Sequence, residues 1–186
     1  MKDSGRGMQG PVDRTTDDRA ADPDADPYSV AKAIALRQLT MAPRSRAQLR
    51  TAMERRLVPP EVTEAVLDRL EQVGLIDDKA FAESWVRYRQ RERGLARRAL
   101  AHELRTKGVD DEIARVALDE VDADSERQAA QALVARKLAS TRRFDRDTRV
   151  RRLAGMLARK GYSSGLALSV VRLALAEEGE QHRDDE

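Results

Sequence analysis

The sequence predicts an all-α protein, a tandem array of three three-helix units of helix-turn-helix type forming an elongated or curved body. Composition is the first reason: Ala, Leu and Arg are abundant, all good helix formers, while aromatics are only 3% of the 186 residues. The core must therefore come from Leu, Val, Ile, Ala and Met. The second reason is the stretch Arg97–Leu118, RRALAHELRTKGVDDEIARVAL, which reads as two short helices joined at Lys107-Gly108-Val109-Asp110. Leu100 and Leu104 share one face of the first, Ile113 and Ala117 one face of the second. The third reason is that this stretch occurs three times. Moved back by 51 positions, Leu100, Leu104, Val109 and Ile113 fall on Leu49, Met53, Val58 and Val62. Moved forward by 53, Leu100, Leu104, Gly108 and Ile113 fall on Leu153, Leu157, Gly161 and Leu166. A recurring period of this size marks tandem copies of one supersecondary unit.

Taken in order, residues 1–27 are rich in Asp, Gly, Pro, Arg and Thr without periodicity, and are expected to be a disordered extension. The first unit, 28–76, opens with a helix over Tyr28–Thr40 carrying Val30, Ile34 and Arg37 on one side, broken by Pro43. Ser45 and Gln48 form a capping box for the second helix. Val58-Pro59-Pro60 is its turn, where Leu57 stands in place of the glycine of the other copies, so a less left-handed cap is expected there. Glu61 opens the third helix and Gly74 ends it; Leu75 and Ile76 are expected to dock this unit onto the next.

The second unit, 77–123, begins with an aspartate N-cap and a helix bearing Phe81, Trp85 and Tyr88 at i, i+4 and i+7, with Arg87, Arg89, Arg91 and Arg93 opposite. Such a stripe beside arginines can stack bases, but its helical spacing reads as core, with Tyr88 the member that reaches the surface. In the third unit, 124–176, Ser125 with Gln128 offers another capping box, a basic connector Thr141–Arg146 follows, and two helices run over Asp147–Lys160 and from Ser163 or Ser164 to Ala176. An acidic tail, 177–186, closes the chain. Each unit alone is small, so neighbours are expected to stack to bury their faces.

The net charge of +2 conceals an asymmetry. The two ends carry −3 and −5, leaving +10 on the body Tyr28–Ala176, a balance suited to a polyanion or an acidic protein groove. With no cysteine, disulfides and thiolate metal sites are excluded, and no apolar run approaches the roughly 20 residues of a membrane span. Without an N-terminal apolar segment of secretory type, a cytoplasmic location is expected. The two histidines, His102 and His182, join no triad, zinc motif or phosphate loop, and Glu103 and Asp119 read as ordinary surface carboxylates. No catalytic residue, metal or cofactor is expected, so the chain reads as a non-enzyme.

What recurs instead is positive charge. Arg44, Arg46, Arg50, Arg55 and Arg56 in the first unit are matched by Arg97, Arg98, Arg105 and Lys107, then by Arg149, Arg151, Arg152, Arg159 and Lys160. Repeated cations on repeated units can address a regularly spaced partner, with arginine forks pairing bidentately with carboxylate or phosphate. Local pairing, such as Arg50 with Glu54, would consume part of this charge.

The segments PRSRAQLRTAMERR (43–56), GLIDDKAFAESWVRYR (74–89), ARRALAHELRTKGVDDEIARVAL (96–118) and RRLAGMLARKGYS (151–163) together resemble the RecX family of bacterial regulators of the RecA recombinase. The resemblance implies a helical array that binds RecA filaments as a monomer and inhibits their ATPase, strand-exchange and coprotease activities in recombination, repair and the SOS response. It implies no catalytic residue. Its basic surface would fall on Arg87, Arg89, Arg91, Arg97, Arg98, Arg105 and Lys107, with Arg151, Arg152, Arg159 and Lys160 as third-unit counterparts. The alternative is a DNA-binding protein whose helix-turn-helix units present that face to phosphates, and weak contact with single- or double-stranded DNA is compatible with either reading.

Overall fold

Most of the described helices start at a side-chain cap that the sequence offers. The computed structural model describes residues 26–184, so the extension expected at 1–27 lies outside the described residues except for its last two, which belong to the first helix. Asp26 accepts from the Tyr28 and Ser29 amides and starts α1 (Pro27–Met41). The Ser45–Gln48 capping box starts α2 (Arg46–Glu54), and a proline at the first turn starts α3 (Pro60–Gln72). Asp77 caps α4 (Asp78–Arg93), which Gly94 closes at φ +57°. Then come α5 (Arg97–Thr106), α6 (Asp111–Leu118) capped by Asp110, and α7 (Ala123–Leu138). A 3₁₀ turn over Ala139–Thr141 leads to α8 (Arg146–Arg159) and α9 (Ser164–Asp184). Among the described residues all the regular structure is helical, and α1–α3, α4–α6 and α7–α9 each pack on one another as the three expected units.

Several expectations need correction. The α7 cap is Asp122, which accepts from the Ser125 amide at 2.7 Å, so Ser125 lies inside the helix and makes no capping box. Leu57 is fully left-handed at φ +59° and 90% exposed, not less left-handed than the glycines it replaces. The α1 face that enters the core is Ala31 and Ala35, one position on from Val30 and Ile34. This pair recurs as Ala82 and Val86 on α4 and as Ala130 and Val134 on α7. Small residues there let each unit's first helix lie close against the two that follow. Of the connector pair, Ile76 is buried in the first unit's own core and Leu75 is exposed. Finally, α9 does not stop at Ala176. Leu175 is buried, and Glu178 anchors the next turn by accepting from Arg142 Nε at 2.7 Å and Arg149 Nη2 at 2.5 Å. Most of the expected acidic tail is thus helix, and only residues 185–186 lie outside the described ones.

The units also do not pool their apolar faces. Each has a core of its own: Leu49, Met53 and Leu67 in the first, Val86, Leu100 and Leu104 in the second, Val134, Leu153, Leu157 and Val171 in the third. Among the buried described residues only Ala96 crosses, joining the third unit's core from the second.

The joints between units are built from backbone and polar contacts, and the same three are used twice. A carboxylate near the start of the following unit accepts from the first amide of the preceding unit's middle helix: Asp78 from Arg46 N–H at 2.8 Å, Glu126 from Arg97 N–H at 2.7 Å. The C-cap lysine's carbonyl is received at that helix's cap, by Ser45 Oγ (to Lys107 O, 2.5 Å) or Ala96 N–H (to Lys160 O, 3.0 Å). The turn glycine then lies on an alanine of that helix. A Cβ on Gly161 would sit 2.7 Å from Ala99 Cβ, and one on Gly108 closer still to Ala47 Cβ. In effect the next unit's carboxylate satisfies the first amide of the helix, and its carbonyl accepts from the cap residue's hydroxyl or amide. Tyr162 OH adds a buried bond to Gly94 O at 3.0 Å, and burial pushes its phenol up to about 12.

Candidate partner-binding clefts

The predicted basic residues divide into two groups. Some are structural. Arg89 does not lie opposite the aromatic stripe: only 14% of its side chain is exposed, and it forms a forked pair with Glu103. Glu103 also accepts from Trp85 Nε1 at 2.9 Å, and the Arg89 fork holds its carboxyl below the usual range. It is therefore no ordinary surface acid. Arg97 braces α5 onto the end of α6, donating to Leu118 O and to Asp119 Oδ1 (3.1 Å), so Asp119 too is engaged. Its counterpart in the first unit, Arg46, is held by Glu64, Asp68 and Glu71. Arg50 pairs with Glu64 across to α3 and not with Glu54. Lys160 donates from Nζ to Arg93 O and belongs to the second joint. Arg87 lies near Glu83 and Glu120, and Arg91 near Glu92, as exposed pairs of little energetic weight.

Of the remaining predicted cations, all but Arg98 line two clefts that no Asp or Glu enters. The first, ≈ 400 Å³, lies at the joint of the first two units. Its wall includes Arg44 and Arg55 beside α2, with Arg105 and Lys107 from the turn docked there. Lys107 Nζ sits 3.8 Å from the centre of the Trp85 ring; burial, together with Arg44 and Arg89, lowers its pKa. Arg105 stays 70% exposed, with Asp111 at 3.6 Å from its Nε. The second, ≈ 810 Å³, lies on the third unit, where Lys137 and Arg143 face Arg151, Arg152 and Arg159 of α8. The Phe144 ring is held there between guanidinium groups, Arg143 at 4.8 Å and Arg152 at 4.0 Å from its centre. Arg98 is exposed on α5 and lines neither cleft.

Of the predicted residues, then, Arg105 and Lys107 meet in the first cleft and Arg151, Arg152 and Arg159 in the second. Arg44, Arg55, Lys137 and Arg143 complete these walls. Arg44 and Arg55 were legible as part of the recurring charge, and Arg143 as part of the basic connector; Lys137, on the α7 helix, carried no such signal. Among the described residues no cluster of three or more acids and histidines is arranged to hold a metal, and no helix is long and apolar enough to cross a membrane.

The comparisons with known proteins agree with this architecture unit by unit. Patterns described as the first, second and third three-helix domains of RecX match residues 31–70, 77–118 and 124–171. The chain belongs to the RecX family. A regulatory protein RecX of Streptomyces coelicolor is 58% identical over 167 residues, 89% of each chain, and one of Thermobifida fusca is 53% identical over 90% of this chain and 93% of its own. In fold, a crystal structure of RecX from Lactobacillus salivarius superposes with a TM-score of 0.70 at 21% identity, covering 79% of this chain and 96% of that one. RecX membership places the chain among regulatory proteins.

Proposed function

We propose that this RecX-family chain binds the RecA recombinase filament and restrains its ATP-driven activities: DNA-stimulated ATP hydrolysis, strand exchange and coprotease action. The observation that carries the reading is the pairing of family membership with two acid-free basic clefts set along a repeated scaffold. A repeating target can engage successive units, so several weak contacts add through effective concentration. A ligand that prefers one state of a cycling filament slows the cycle by population shift and needs no chemistry of its own. The test is RecA ATPase on single-stranded DNA with the chain titrated in. Inhibition is expected at near-stoichiometric or lower protein, with Arg105→Glu/Lys107→Glu weakening it. ATPase untouched across a broad titration would refute the reading.

A further inference from the structure

The larger cleft is an unfilled copy of the joint between units. Moved 104 positions along the chain, Arg44, Ala47, Gln48, Ala52 and Arg55, which line the first cleft, fall on Thr148, Arg151, Arg152, Met156 and Arg159, which line the second. In the first unit this face of the middle helix receives the next unit's helix-ending turn, and in the second unit the same helix end does so. On the third unit no described residue docks as a turn on this face of α8, which stays open.

Three differences at this open face point in one direction. The alanine on which a turn glycine packs is replaced by arginine, at or next to Arg151. The α8 helix begins four residues earlier than the repeat alignment with α2 requires, so the amides aligned with those that an inner joint satisfies lie inside the helix, Arg149 N–H donating to Asp145 O at 3.0 Å. And the carboxylate that each inner joint takes from the following unit, Asp78 or Glu126, has no counterpart in the cleft wall, where five cations gather instead.

We propose that the α8 face, centred on Arg151, Arg152 and Arg159, is the docking site for an acidic helix-ending turn of a protein partner, held as the inner joints hold a turn but by guanidinium groups. At the inner joints the middle helix already receives one carboxylate and one helix C-terminal carbonyl; a partner turn carrying its own carboxylates supplies both kinds of acceptor. A second copy of this chain fits poorly. Its first-unit turn would place the Leu57 side chain where the inner joints have a glycine with no room for a Cβ. Nucleic acid is disfavoured because the cleft's single aromatic ring, Phe144, is already engaged by Arg143 and Arg152 and is not free to stack a base.

The proposal names a surface for the filament reading and rests on it only in taking the partner to be a protein. It is tested with a labelled helical peptide ending in two glutamates, titrated into the full chain by fluorescence anisotropy. Saturable, salt-sensitive binding is expected. It should weaken at least tenfold when the glutamates become glutamine, and at least tenfold in Arg151→Glu/Arg159→Glu, with Arg69→Glu as an unaffected control. Circular dichroism checks folding, and Arg159→Glu alone is the milder variant should the double one unfold. Equal binding of the glutamine peptide, or indifference to both reversals, overturns the proposal. So does an oligothymidylate that binds this face more tightly than the peptide, or a head-to-tail oligomer in sedimentation that Arg159→Glu dissolves. In the RecA ATPase assay, inhibition that survives Arg151→Glu/Arg159→Glu sinks the surface and spares the filament reading; no inhibition by the unaltered chain sinks the filament reading, and the peptide arm still decides the surface.

Discussion

Glu103 shows how one carboxylate can fix a neighbourhood. It accepts from Trp85 and from both arms of Arg89, whose side chain is largely out of water. Replacing it with glutamine keeps an acceptor for the indole but strips the buried guanidinium of its counter-charge. Glu103→Gln should cost roughly 1–3 kcal/mol in urea unfolding and shift the fluorescence of Trp85, the chain's single tryptophan. A stability unchanged within about 0.5 kcal/mol would mean that the pair is a surface ornament. Glu64 makes a pH prediction. Hydrogen bonds from Arg50 and then Arg46 hold its carboxyl down to about 2, below the ~4.3 of an unfolded chain. A depressed folded value means stabilisation that is complete above about pH 4.3 and is lost as the pH falls towards 2. Melting temperatures should decline over that window more steeply in the unaltered chain than in Glu64→Gln. Because Glu64 is 44% exposed, added salt should flatten the difference.

At the scale of the element, the turn between the second and third helix of each unit does two jobs, reversing the chain and filling a joint. Gly108 and Gly161 need positive φ and also leave no room for a Cβ, whereas Leu57 needs only the first, since its side chain is exposed. Leu57→Gly should therefore stabilise the protein by about 1 kcal/mol, the strain of a left-handed Leu. Gly108→Ala should destabilise it by roughly 1–3 kcal/mol, part of which Ala47→Gly restores. The same distinction explains what the sequence could reveal. Repeat spacing exposed Leu100, Leu104, Leu153 and Leu157 as core and located all three turns, because helix periodicity is a local signal. It could not reveal that Leu57 would accept the left-handed turn, nor that Asp122 outcompetes Ser125 as a cap; both depend on what lies beside the residue in space. The arginines divide in the same way. Charge is legible in a sequence, but whether Arg89 and Arg97 face a partner or their own acids is decided by helices packed 14 and more residues away.

For the whole molecule, three separate cores joined by polar contacts make stability a property of units and neighbours, not of one globule. Leu104 is fully buried in the second core, so Leu104→Ala should cost roughly 2–5 kcal/mol, and amide exchange should speed up over α4–α6 well before α7–α9. Uniform acceleration along the chain would show that the units unfold as one. Under the proposed filament reading this modularity matters because each joint sets one unit's cleft relative to the next. The most direct measurement is RecA ATPase on single-stranded DNA with this chain titrated in. Progressive inhibition, relieved by reversing the cleft residues Arg105 and Lys107 together, is the expected result. Full ATPase at every concentration, or inhibition indifferent to that reversal, would contradict a regulator acting through its basic clefts.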